Sequence, residues 1–209
     1  MPADTSSQYR PSTSTRDCIP IPEVYLPTEP TRRSSCEIRS LTCDDAPAFQ
    51  ALRLRGLIDA PEAFGSSYAE EVSRSVEEVA QRLGATTTPN ARVVFGAFDR
   101  GVLIGVVGCV QQTHAKSRHK AVIWGMYVAP EARGRGVGRA LIERAVAAAR
   151  SWPNVVRLTL TVVDRATAAR TLYRSMGFRT YGREVDAFRQ DGVSDAMEMM
   201  ALELGESGH

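Results

Sequence analysis

The stretch Arg133-Gly134-Arg135-Gly136-Val137-Gly138 alternates three glycines with two arginines and a valine just ahead of a run that reads as a helix. Glycine lets main chain approach a ligand without Cβ interference, and a helix start offers N–H groups that lack internal acceptors. The helix dipole and the two guanidinium groups add positive charge, so the loop suits a pyrophosphate. Other phosphate loops are excluded by spacing. A Walker loop needs Gly-Lys-Ser/Thr, whereas Gly138 is followed by Arg139-Ala140. A dinucleotide fingerprint opening at Gly134 needs glycine at position 139, where Arg139 stands.

A second stretch is Ala169-Arg170-Thr171-Leu172-Tyr173-Arg174-Ser175-Met176-Gly177-Phe178. Its helical spacing puts Ala169, Leu172, Tyr173 and Met176 on one side, with Gly177 placed as a C-terminal cap. A buried phenol there could serve as a proton donor. A third lies between residues 60 and 74, where Phe64 and Tyr68 flank Gly65, Ser66 and Ser67, and Glu70 and Glu71 follow. Small residues between aromatics can shape a pocket, and a carboxylate can attract an ammonium group and accept its proton.

Alternation at residues 37–41 predicts a strand, and Thr42 or Asp44 can cap a helix carrying Phe49, Leu52 and Leu57. The capping box Ser75-Val76-Glu77-Glu78 opens a helix that Gly84 stops. Residues 92–98 and 102–110 read as a hairpin turning at Asp99-Arg100-Gly101. A strand over 121–128 leads into the glycine loop and a helix over 137–150. A strand through Leu158, Leu160 and Val162, a helix over 165–176, and strands near 179–184 and 196–204 complete the order. This predicts an α+β fold with a central, partly antiparallel sheet of six to seven strands flanked by about four helices.

Residues 133–138, preceded by Val128-Ala129-Pro130, together with the Leu172-Tyr173 and Gly177-Phe178 pattern, resemble the GNAT superfamily of N-acetyltransferases. The resemblance runs from Glu37 to Leu204. It implies acetyl-CoA as cosubstrate, with Arg133, Gly134, Arg135, Gly136, Val137, Gly138 and Arg139 at its phosphates and main-chain N–H groups near Met126, Tyr127 and Val128 at its acetyl oxygen. The implied reaction is direct attack by a primary amine of a small molecule or peptide through a tetrahedral intermediate. Tyr173 then stands where the departing thiolate is protonated. An acyl-CoA-binding module without strong catalysis, and a protein N-terminal or lysine acetyltransferase, remain open as alternatives.

Two departures from the family pattern affect the site. Ala166 stands where relatives often have an asparagine that bonds the pantetheine arm, a loss of about 1 kcal/mol for a neutral hydrogen bond; Asp164 reads first as a helix cap and second as a nearby substitute. The strand Ala121-Val122-Ile123-Trp124-Gly125-Met126 carries no acid where many relatives place the base. The base is therefore expected at Glu70 or Glu71, and acceptor contacts at Phe64, Ser66, Ser67 and Tyr68. His114 and His119 read as solvated loop residues among cations.

With 209 residues, 43% of them hydrophobic, the chain can fill one core, and its formal charge of +2 gives no reason to expect a nucleic-acid or anionic-membrane partner. The Ser-, Thr- and Pro-rich residues 1–35 read as a disordered or loosely ordered tail, and 36–205 as the catalytic domain. No metal or disulfide spacing joins the four cysteines, and no apolar run reaches the roughly 18 residues of a membrane span. The expected setting is cytoplasmic, with acetyl-CoA and an amine as partners and room for a homodimer.

Overall fold

The computed structural model describes residues 36–84, 91–190 and 192–205; the expected tail over 1–35 lies outside them. Strand β1 (Glu37–Ser40) leads into α1 (Ala46–Asp59), a short α2 (Tyr68–Val72) and α3 (Val76–Gly84). The hairpin of β2 (Arg92–Asp99) and β3 (Val102–Gln111) is followed by β4 (Lys120–Val128), α4 (Val137–Ser151), β5 (Arg157–Val163) and α5 (Thr167–Ser175). A final hairpin, β6 (Arg179–Gln190) and β7 (Val193–Glu203), closes the order.

The seven strands form one sheet in the order β1-β2-β3-β4-β5-β7-β6. All neighbours are antiparallel except β4 and β5. Strand alternation, shifted in phase by the bulge at Ile104, sends Val94, Phe98, Leu103 and Val106 to one face, against Leu52 and Leu57 of α1 and Val79 and Leu83 of α3. Phe95, Ala97, Ile104 and Val107 go to the other, against Leu141, Ile142, Ala145 and Ala149 of α4 and Tyr173 of α5. The sheet is thus the middle layer between two helical ones, and each helix is held by its apolar stripe.

Several sequence signals act as read. Ser75 and Glu78 form their capping box, with Glu78 N–H donating to Ser75 Oγ at 3.2 Å and Ser75 N–H to Glu78 Oε2 at 3.0 Å. The β2–β3 turn puts both Arg100 (φ 52°) and Gly101 (φ 81°) in the left-handed region, as the twist of a tight hairpin requires. Two boundaries differ. The last hairpin is longer than the expected 179–184 and 196–204, because the register shifts between Glu184 and Phe188 and Asp186 takes φ 61°, which breaks the alternation by which strands are recognised. Residues 60–74 include the short helix α2, whose Ser67 accepts from Glu70 N–H.

Candidate functional site

Strands β4 and β5 pair only over Lys120–Val122 with Arg157–Thr159 and then diverge. β5 stays bound to β7 as far as Val163, while β4 stays with β3 as far as Val128, so the sheet opens between them. β4 also carries an irregularity opposite Val106 to Gly108, with Gly125 at φ 62°. Beside it, Trp124 lies over Gly108: a Cβ there would meet the indole at 2.2 Å, so only glycine allows that ring position. The opening holds a cavity of about 470 Å³. Its walls are residues 122–126 of β4, 160–163 of β5, Ala166, Ala169 and Tyr173 on the α5 side, and Arg53, residues 63–66 and Phe188 over the far end.

The glycine loop lies at the C-terminal end of β4. Gly134 has φ 73° and Gly136, the N-cap of α4, φ 82°; a Cβ at either would meet nothing within 4 Å. Conformation and not crowding therefore demands glycine here, and the loop surface is clear for a ligand. The first helical bond runs from Ala140 N–H to Gly136 C=O, which leaves the N–H groups of Val137, Gly138 and Arg139 ahead of it. Gly138 connects loop and cavity: its Cβ would stand 3.3 Å from both Leu172 of α5 and Met126 of β4.

The arginines are partly engaged. Arg133 donates from Nε to Val128 C=O at 3.0 Å and lies over the Tyr127 ring; Arg135 pairs with Asp99 at 2.6 Å; Arg139 donates to Ser175 Oγ at 2.8 Å. All three are exposed, so such contacts are cheap to exchange. The loop offers backbone N–H groups, a helix start and three movable cations, which fits the pyrophosphate of acetyl-CoA. Of the three β4 residues expected at the acetyl group, Met126 lines the cavity, while the Tyr127 ring turns to the α1 side, donating its hydroxyl to Asp59 at 2.5 Å. Only main chain at Tyr127 can face the slot.

Tyr173 is 5% exposed, lines the cavity and packs edge-on against Phe178. Burial pushes its pKa up to about 12, so the phenol keeps its proton. Ala166 begins α5 without a side-chain cap, and Asp164 next to it accepts from Arg183 through Oδ2 while its buried Oδ1 has no partner among the described residues.

Residues 60–74 divide sharply. Phe64 and Ser66 line the cavity. Ser67, Tyr68 and Glu70 do not: Ser67 and Glu70 bond each other's backbone in a capping box that starts α2, and Tyr68 is exposed. Those bonds hold the Glu70 carboxyl below its ordinary pKa. Glu71 turns inward to pair with Arg53 at 2.9 Å and accept from the Ser66 hydroxyl. Burial raises its pKa, yet the bonds from Arg53 and Ser66 prevail and hold it below the ordinary value. Neither carboxylate lines the cavity, and both are held low, as weak bases. His114 and His119 are exposed.

Arg53 was not singled out in the sequence, yet it is the one charged side chain among the described residues lining the cavity. Its signal was available: Phe49, Arg53 and Gly56 follow helical spacing on the inward stripe of α1, so the arginine interrupts an apolar face. It also stacks over Phe64, its carbon 4.4 Å from the ring centre.

Residues 54–178 match the profile of the Acetyltransferase (GNAT) family. Among solved structures, a GNAT-family acetyltransferase from Streptococcus pneumoniae is similar at 23% identity and TM-score 0.74, covering 82% of this chain and 100% of its own. The yncA protein of Salmonella typhimurium, solved with its cofactor acetyl-CoA, is 19% identical with TM-score 0.73, over 84% and 98%. A GCN5-related N-acetyltransferase from Kribbella flavida is 26% identical with TM-score 0.67, over 81% and 98%.

Proposed function

The chain belongs to the acetyltransferase (GNAT) family, an acyltransferase family that uses acetyl-CoA as cosubstrate, and from that premise we propose that it moves the acetyl group to a primary amine of a small molecule in the cytoplasm. The observation that carries the reading is the continuity of one slot. The glycine loop, Gly138 against Met126 and Leu172, the divergence of β4 from β5, and Tyr173 follow one another along it.

Bound acetyl-CoA supplies an acetyl group activated as a thioester. The loop N–H groups and Arg133, Arg135 and Arg139 hold its phosphates. Main-chain N–H groups of β4 beyond Val122, which have no β5 strand opposite them, are available to the acetyl oxygen where negative charge develops. The amine must arrive neutral, having given one proton to solvent; its nitrogen bonds the acetyl carbon as the C–S bond breaks, its second proton leaves, and the thiolate gains one. Tyr173 donates a hydrogen bond to that sulfur. Its pKa of about 12 lies roughly three units above that of an ordinary thiol, so it stabilises the leaving thiolate and solvent completes the protonation.

The test is thiol release from acetyl-CoA over a panel of amines, with calorimetry of acetyl-CoA binding beside it. Binding together with amine-dependent release is expected. Binding without release from any amine would favour an acyl-CoA-binding module instead.

A further inference from the structure

We infer that the acceptor is an amine that also carries an oxyanion, seated against a wall made by Arg53, Trp124 and Arg92; this rests on the acetyltransferase reading above. Arg53 spends Nε and Nη2 on Glu71 and Ser66, while its Nη1 is buried with no partner among the described residues. An unpaired buried donor is costly unless a ligand completes it. That nitrogen lies beside Gly125, 3.8 Å from where a Cβ would stand, one residue before Met126 in the slot. An oxygen bonded there sits a few bonds from an amine poised at the thioester.

The neighbouring hollow, about 340 Å³, shares Arg53 and Trp124 with the cavity and adds Arg74, Arg82 and Arg92. None of these three forms an ion pair among the described residues, and Arg92, 5.5 Å over the Trp124 ring, has a second buried donor without a partner, Nε. The carboxylate in that lining, Glu71, is already bound to Arg53, and Glu78 at the outer rim caps α3. Two orphaned donors along adjoining hollows that share Trp124, amid cations that outnumber the acids, ask for an anion. The same cations disfavour an ammonium ion and favour the neutral amine, so the reaction needs no carboxylate base in the slot. A polycationic acceptor would meet repulsion, with Glu71 already paired to Arg53.

The experiment compares kcat/KM for matched amines at saturating acetyl-CoA: phenylalanine against phenethylamine, 2-aminoethylphosphonate against ethylamine, with spermidine and a short C-terminally amidated peptide without acidic side chains as further arms. At least one oxyanion-bearing amine should lead its counterpart without the oxyanion by about 10²-fold, and the pair that leads identifies the oxyanion as carboxylate or phosphonate. Arg53→Met and Arg92→Met should each cut that preference about tenfold or more and leave acetyl-CoA affinity unchanged. Being a ratio, the preference is insensitive to the fraction of enzyme folded, and Arg92→Met leaves the Arg53–Glu71 pair intact. Equal rates on amines with and without the oxyanion, or a lead for spermidine or the amidated peptide, would overturn the inference while sustaining the acetyltransferase reading. Acetyl-CoA bound with no release from any amine would overturn both.

Discussion

The loop at residues 133–139 and the wall of Arg53, Trp124 and Arg92 both gather arginines, yet they gather them differently. In the loop the cations are exposed, close together in sequence and held by contacts that can be exchanged, while left-handed glycines shape the surface. On the wall the guanidinium groups come from α1 and β2 and line one hollow with an indole of β4, and two of their donors are buried without partners among the described residues. A loop of the first kind receives the same ligand whatever the rest of the chain does; a wall of the second kind exists only once the fold has formed, and its unpaired donors select what enters.

Gly136→Asp should have the largest effect. It adds a carboxylate to an anion cradle and forces an L-residue to φ 82°, so acetyl-CoA affinity should fall by about 10²- to 10³-fold in calorimetry. Because a Cβ there meets nothing within 4 Å, the stability cost is confined to the left-handed backbone, about 1–2 kcal/mol, and the melting temperature should fall by only a few degrees. Unchanged affinity would remove the loop from the cofactor site and with it one half of the contrast.

Tyr173→Phe comes next. It keeps the packed ring and removes the hydroxyl, so kcat should fall about 10²-fold with acetyl-CoA affinity retained. Near-normal turnover would mean that solvent alone serves the leaving thiolate.

The contrast also explains what the sequence discloses. The cradle is local: glycine spacing, a strand before it and a helix after it are contiguous, and so are the Tyr173 helix and its Gly177 cap. The three layers follow from periodicity for the same reason. The wall depends on Arg53 and Arg92 lying close to the Trp124 ring although far from it in sequence, which no local pattern encodes. Ser67-Tyr68-Ala69-Glu70 has the same Ser-x-x-Glu form as Ser75–Glu78, and both form capping boxes, although the aromatic and acidic residues of the first also fit a site. The longer final hairpin was hidden by its bulge at Asp186.

Glu71→Gln sharpens the wall. Replacing the carboxylate leaves Arg53 less constrained, so the acceptor KM should rise about tenfold while kcat changes little. Stability should drop by about 1–3 kcal/mol at neutral pH. Because the folded-state pKa of Glu71 is lowered, its contribution is present above the unfolded-state value near 4.5 and is lost as pH falls through the folded one. The difference between wild type and variant, followed by denaturant melts, should therefore shrink on acidification below about pH 4.5. A difference that persists unchanged into acid would mean that the ion pair contributes nothing.

Glu70→Gln should do least, and it separates the two adjacent carboxylates. Glu70 is fully exposed, bonded to Ser67 N–H at 2.6 Å, and does not line the cavity. Glutamine keeps an oxygen that can accept that bond, and the capping pattern tolerates it. What is lost is the charge at a helix start, a small and solvent-screened effect, so the melting temperature should fall by a few degrees at most. Turnover, acceptor KM and the acid limb of kcat/KM should match wild type across pH 6 to 10, because that limb then reports the acceptor amine losing its own proton. If the limb instead moves or disappears in Glu70→Gln, the short helix α2 must swing so that Glu70 reaches the slot, and the base would lie on the loop. The wall would then have only the anion to hold, with no part in lowering the pKa of the amine.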